Sequence, residues 1–218
     1  MSPVTNQWVA TNREKILSNS AAFVAEIPLA GREDSSKALR SALALGGDKP
    51  CNCIILSEQL GVGKTFFVQT EFVKLSREFG WNDEVETATL LGEDIESPED
   101  LEALKAKVIV VDELDRRSDR IALERALTAV SGWLHHDRTA ILVGDFVLRS
   151  EKAVGRFPGA LNIPLEPLSS ELLYKALDLR IAHALSQPPL RLTHTEASDV
   201  AQTAVRGMFA ADFIEALI

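Results

Sequence analysis

Three features of the sequence predict an α/β fold of three layers around a mostly parallel sheet. From residue 51 to residue 167, short apolar runs of strand type alternate with longer stretches of helical periodicity. "KVIVVDE" (107–113) is an uninterrupted β-branched run, the pattern of a parallel strand covered on both faces. A glycine-rich turn joins the first strand directly to a helix. After Pro167 the strand pattern stops, and the remainder reads as a small all-helical lid.

"CNCIILS" (51–57) is the first strand. Its Cys51 and Cys53 lie two apart in one apolar run and are expected to be buried free thiols. Beyond the turn, "TFFVQTEFVKLSREFG" places Val68, Phe72, Leu75 and Phe79 on one helical face. "VETATLL" (85–91) alternates weakly as a strand. Ser97-Pro98-Glu99-Asp100 then supplies an N-cap, a first-turn proline and acids suited to the helix dipole. After the run at 107–113, "IALERALTAVSGWL" (121–134) fits a helix, "TAILVGD" (139–145) a buried strand and "ALNIPL" (160–165) a last short strand. Ser169 or Ser170 can cap a helix running to about Ser186. "QPPLRLT" interrupts the chain, and "TEASDVAQTAVRG" and "MFAADFIEALI" supply two more helical stretches. The expected division is a core over 1–166, with a helical leader at its N-terminus, and a lid over 167–218.

A chain of 218 residues that is 46% hydrophobic and 25% charged can bury a substantial core, and its composition indicates neither disorder nor a fibrous repeat. No apolar run approaches the roughly 20 residues of a membrane helix. The opening "MSPVTNQWVATNREK" is too polar for a signal peptide, so the expected location is the cytoplasm. A formal net charge of -9 opposes tight DNA binding by the surface as a whole and leaves only a local basic face for it. The acidic stretch "GEDIESPEDLEALK" reads as a solvated loop and helix start. With four histidines and no cysteine or carboxylate at ligand spacing, no zinc site is expected, and His135 and His136 suit a helix end.

"SEQLGVGKTFF" (57–67) approximates the phosphate-binding pattern G-x-x-x-x-G-K-[ST], with Glu58 in the first glycine's place. A strand feeding such a turn into a helix lets backbone N–H groups and the helix dipole converge on phosphate oxygens. Gly61 and Gly63 allow close approach, and Val62 and Phe66 are expected to belong to the same nucleotide-binding segment. Lys64 supplies a point charge for the β- and γ-phosphates and Thr65 a hydroxyl for Mg²⁺. Glu58, at the strand's exit, can point away. "VIVVDE" sets Asp112 and Glu113 at the carboxyl end of a buried strand, the edge where ligands gather in parallel sheets. There Asp112 can hold the Mg²⁺ shell and Glu113 can activate water against a γ-phosphate.

Together "PLAGREDSSKALRSAL", "GVGKT", "VIVVDELDR", "ILVGD" and "RFPGALNIPLEPLSSELL" resemble the AAA+ ATPases, over most of the chain. Within that family the leader, "LVGD" and "PLSSELL" are most similar to the branch of replication-initiator, transposition-targeting and signalling ATPases. The resemblance implies a P-loop NTPase fold with a helical lid. It implies that Gly31, Arg32 and Glu33 belong to a leader near the adenine. Asp145 matches the polar sensor of the γ-phosphate, where the family has Asn, Thr or Ser; an acid there would repel phosphate unless compensated. Arg156 matches the arginine finger that reaches a neighbour's γ-phosphate, which implies a homo-oligomer; Arg149 competes for that role. Arg206, before Gly207, is a candidate second sensor, although the family's arginine follows the glycine.

The expected activity is hydrolysis of Mg-ATP by an oligomer that remodels or recruits a separate protein, with DNA as an open possibility for the partner. The alternative is an ATP-binding switch or adaptor with little turnover, which Asp145 and Glu58 favour. A small-molecule P-loop kinase is disfavoured by the adjacent carboxylates and the helical tail. With "FIEALI" last in the sequence, a motor without an attached DNA-binding or protease domain is expected.

Overall fold

The computed structural model describes residues 13, 27, 29–44, 52–58, 62–81, 87–114, 120–134, 138–145 and 155–186. The chain divides into two compact units, Glu33–Glu166 and a second that combines Met1–Arg32 with Pro167–Ile218.

The first unit holds the sheet. Its elements in chain order are α1 (Glu33–Leu43), β1 (Cys53–Ser57), α2 (Lys64–Phe79), β2 (Thr87–Leu91), a 3₁₀ turn (Gly92–Asp94), α3 (Pro98–Glu102), β3 (Val108–Asp112), α4 (Arg120–Trp133), β4 (Thr139–Gly144) and β5 (Leu161–Asn162). The five strands run in the order β2-β3-β4-β1-β5. Every pairing is parallel. All carboxyl ends therefore emerge on one edge. The α/β class and parallel sheet expected from the sequence are what the structure has, and the β-branched run at 107–113 forms a central strand.

Burial follows the strand order. β1, β3 and β4 are buried at every residue, whereas β2 is half-exposed and β5 exposed, as edge strands are. One sheet face presents Cys53, Ile55, Ile109, Val111, Ala140 and Leu142, which join Leu123, Ala126, Leu127, Val130 and Trp133 of α4 and Leu101 of α3 in a single apolar cluster. The alternate residues Ile54, Leu56, Val110, Ile141 and Val143 are buried on the opposite face. Arg138 fastens the ends of α3 and α4: its guanidinium lies 5.0 Å from the Trp133 ring centroid and donates to both Glu102 carboxylate oxygens, at 2.7 and 3.0 Å.

α2 buries Phe67, Val68, Phe72 and Leu75, while Phe79 is half-buried and stacks 5.1 Å from Trp81. The helix stops because Gly80 adopts a left-handed conformation (φ 65°), donating its N–H to the Arg77 carbonyl at 3.2 Å. An Arg40–Glu78 ion pair of 2.7 Å links α1 to α2. Cys53 is a buried free thiol, as expected; Cys51 lies outside the described residues.

In the second unit α5 spans Ser170–Ser186. Of the two candidate caps, Ser169 does the work: its Oγ accepts the Leu172 N–H at 3.3 Å. Leu177, Arg180 and Ile181 are buried, and desolvation lowers the Arg180 pKa to about 10. Gly31 (φ 69°) lies against the start of this helix so closely that a Cβ would come within 2.7 Å of Leu172. A side chain there would have to displace Leu172 and hold a strained left-handed backbone. The helical stretches expected after residue 190 lie outside the described residues, and among the described residues no helix is long and apolar enough to cross a membrane.

Candidate functional site

Parallel topology brings the turn after β1 and the carboxylates after β3 to the same sheet edge, with β4 between them. There the Thr65 Oγ donates to Asp112 Oδ1 across 3.2 Å. Asp112 is the last residue of β3, and its carboxylate also accepts the Glu113 backbone N–H at 2.8 Å. Both side chains come from rigid elements, so their separation is set by the sheet and by the first turn of α2.

Lys64 opens α2 and is 8% exposed, while Asp112 is 6% exposed. A buried ammonium needs polar partners. Its Nζ donates to the Glu58 carbonyl at 2.8 Å, closing the turn across its own width. Glu58 thus contributes a backbone oxygen, which any residue could supply, and the missing glycine costs the turn nothing at that bond.

Gly63 caps α2 in a left-handed conformation (φ 82°, ψ 32°) and offers no side-chain hydrogen bond to the helix. The first turn of α2 contains no acidic residue. Among the described residues, no atom lies within 4 Å of where a Cβ on Gly63 would stand, at the helix start. The donor set therefore fits a magnesium-bound phosphate: a helix N-terminus with its N–H groups directed outward along the axis, a lysine, a hydroxyl beside a carboxylate, and a glycine at the cap. Val62, the residue before Gly63, is buried; Phe66, one position beyond Thr65, is half-buried. Gly61 lies outside the described residues.

Glu113 has φ 58°, a left-handed conformation rare for a residue with a long side chain. The turn is held on both sides, by the Glu113 N–H to Asp112 and by the Leu114 N–H to the Val143 carbonyl at 3.2 Å. Asp145 follows β4 directly. Its backbone carbonyl accepts the hydroxyl of Ser57, the fully buried last residue of β1, which pairs with Gly144 across the strands. Ser57 was legible as a strand end and not as the group that fixes the Asp145 backbone.

Arg156 is clasped to α4 of its own chain. Its guanidinium pairs with the Glu124 carboxylate, bonds the Thr128 hydroxyl and donates to the Glu124 carbonyl at 3.1 Å. Neither α4 residue carries a motif that would have singled it out. Arg32 is buried in the second unit. Arg149, Arg206, His135 and His136 lie outside the described residues.

No family model matches the chain, and no curated protein sequence does. Solved structures do. The ORC1 protein of Aeropyrum pernix, in its complex with DNA, superposes with a TM-score of 0.56 at 20% identity, over 72% of this chain and 51% of that one. Domain III of the replication initiation protein DnaA from Thermotoga maritima superposes with a TM-score of 0.54 at 15% identity, over 83% of this chain and 79% of that one. The chain thus spans about half the length of the ORC1 chain. With the strand order, the turn after β1 and the carboxylates after β3 in place, the fold of this chain is that of the AAA+ P-loop ATPases.

Proposed function

We propose that the chain binds Mg-ATP at the start of α2 and hydrolyses it, and that it assembles into an oligomer to remodel or recruit a separate protein. The observation that carries this reading is the 3.2 Å contact between the Thr65 hydroxyl and the Asp112 carboxylate, two groups 47 positions apart in sequence. Nothing in an ordinary helix start calls for a buried carboxylate there.

In this reading the amides around Gly63 and the Lys64 ammonium grip the β- and γ-phosphates. Thr65 and Asp112 hold the magnesium ion, which when bound neutralises charge on the phosphate oxygens. Glu113 takes a proton from a water as that water attacks the γ-phosphorus, and the bond to the β-phosphate oxygen breaks to release ADP. Arg156 would serve the site of a neighbouring copy. The division into a core over 1–166 and a lid over 167–218 belongs to the same proposal, as does a cytoplasmic location. DNA as a platform for the assembly is suggested by the likeness to ORC1 and opposed by the net charge of -9.

A second reading, a nucleotide-controlled switch that turns over little, is favoured by Asp145. In this reading Asp145 sets an acid where the resemblance implies a neutral polar group near the phosphate, and Ser57 bonds its backbone carbonyl. Two variants separate the readings. Lys64→Ala should abolish binding of a fluorescent ATP analogue, and unchanged affinity would remove the site altogether. Glu113→Gln should slow single-turnover hydrolysis by about 100-fold or more while binding persists. A switch would lose almost nothing.

A further inference from the structure

We infer that Glu124 is a positioning residue for Arg156: it holds the guanidinium on its own chain and must give way before that group can serve a neighbouring copy. The inference rests on the trans role proposed for Arg156 and adds what controls it.

Glu124 and Thr128 lie one turn apart on one face of α4. The Thr128 hydroxyl donates to the Glu124 carbonyl at 2.7 Å and is itself met by Arg156. One Arg156 nitrogen serves both that hydroxyl and the Glu124 carbonyl, and the other pairs with the Glu124 carboxylate. The guanidinium therefore takes three acceptors from a single helix turn.

The backbone beneath it is fixed independently. The Arg156 carbonyl accepts the Ser131 hydroxyl at 3.3 Å, and the adjacent Phe157 is 3% exposed in the core. Releasing the side chain leaves its attachment where it is. The side chains of the pair are themselves 31% and 35% exposed. Glu124 and Thr128 also line an open groove of about 310 Å³ with Ser97, Pro98, Ile121 and Ala129. Water reaches the contact, so opening it strips no charge from solvent. An exposed ion pair of this kind holds weakly. A triphosphate presents several negative oxygens and can bind the planar guanidinium at two points. The geometry is thus that of a catch that keeps Arg156 ordered and yields to a stronger anion.

The test is ATP hydrolysis as a function of protein concentration, for the full chain and for Glu124→Gln, Arg156→Ala and the double variant. Glu124→Gln should reach half-maximal rate at about two- to fivefold lower protein concentration, the scale of an exposed ion pair. Arg156→Ala should flatten the concentration dependence, and adding Glu124→Gln to it should change nothing further. If Glu124→Gln leaves the midpoint unmoved or raises it while Arg156→Ala still flattens the curve, the catch is wrong and the trans role stands. If Arg156→Ala keeps the full dependence, the trans role falls and the catch with it. Should Glu124→Gln melt early, Thr128→Val replaces it: it removes one acceptor, keeps the carboxylate, and must lower the midpoint by a smaller factor. An unmoved midpoint there overturns the inference equally.

Discussion

Helices α2 and α3 each follow a strand of the same parallel sheet, and their first turns are finished in opposite ways. α3 is closed by its own sequence: Ser97 caps it, Pro98 opens it, and the Asp100 carboxylate accepts the backbone N–H groups of Ser97 and Glu96 at 2.8 and 3.0 Å. α2 begins after Gly63 with no side-chain cap and no acid in its first turn, and its first residue is Lys64. A helix N-terminus carries partial positive charge and N–H groups without intrahelical partners. At α3 the chain neutralises both; at α2 it adds a further positive charge. Such a start favours an anion beside it. Glu113 extends the contrast, since it keeps a left-handed backbone that a glycine would occupy without strain. Lys105, between α3 and β3, shares that conformation (φ 53°), so the strain alone does not set this edge apart; the open helix start does.

The largest expected effect comes from a matched pair of glycines at the two ends of α2. Gly63 and Gly80 have φ of 82° and 65°, and a Cβ on either would meet no atom of the described residues within 4 Å. Each Gly→Ala change should therefore cost a similar ~1–2 kcal/mol of stability, read from denaturant midpoints. Only Gly63→Ala should also remove detectable binding of an ATP analogue, because its methyl enters the space at the helix start. Equal affinity in the two variants would erase the distinction between a completed and an open helix end.

Glu113→Gly should separate stability from activity. Relief of the left-handed strain is worth about 1 kcal/mol, seen as a raised denaturant midpoint. Loss of the carboxylate should slow single-turnover hydrolysis by about 100-fold or more. A variant that gained stability and kept its rate would show that the strained position carries no chemistry.

Much of this edge was legible from the residues in order. The apolar runs at 51–57, 107–113 and 139–145 became β1, β3 and β4 with ends moved by two residues or fewer, because burial on both sheet faces demands unbroken apolar sequence. The meeting of Thr65 with Asp112 followed from parallel strands, which put both carboxyl ends on one edge. The strand order was not legible, since nothing local says that β1 sits between β4 and β5. The same holds for Arg156: its partners Glu124 and Thr128 are brought near by packing of the 155–163 segment against α4, and a solvated arginine has the same local sequence. The left-handed Glu113 is set by the Leu114 N–H reaching Val143 on the next strand, a contact invisible in "VVDEL".

The smallest effect is expected at the closed helix end. Hydrogen bonds from the Ser97 backbone, and then from Glu96, hold the Asp100 pKa below its ordinary 3.8. A folded-state pKa lower than the unfolded one means that the carboxylate stabilises the protein fully above 3.8 and loses that contribution as pH falls through the depressed value. Asp100→Asn should accordingly lower the melting temperature slightly at neutral pH, and the gap to wild type should shrink as the pH is taken below 3.8. ATP-analogue affinity should not move, because α3 already holds the acid that α2 lacks. A gap that stays constant with pH would mean that shape, and not charge, closes α3, and the contrast between the two helix starts would then rest on α2 alone.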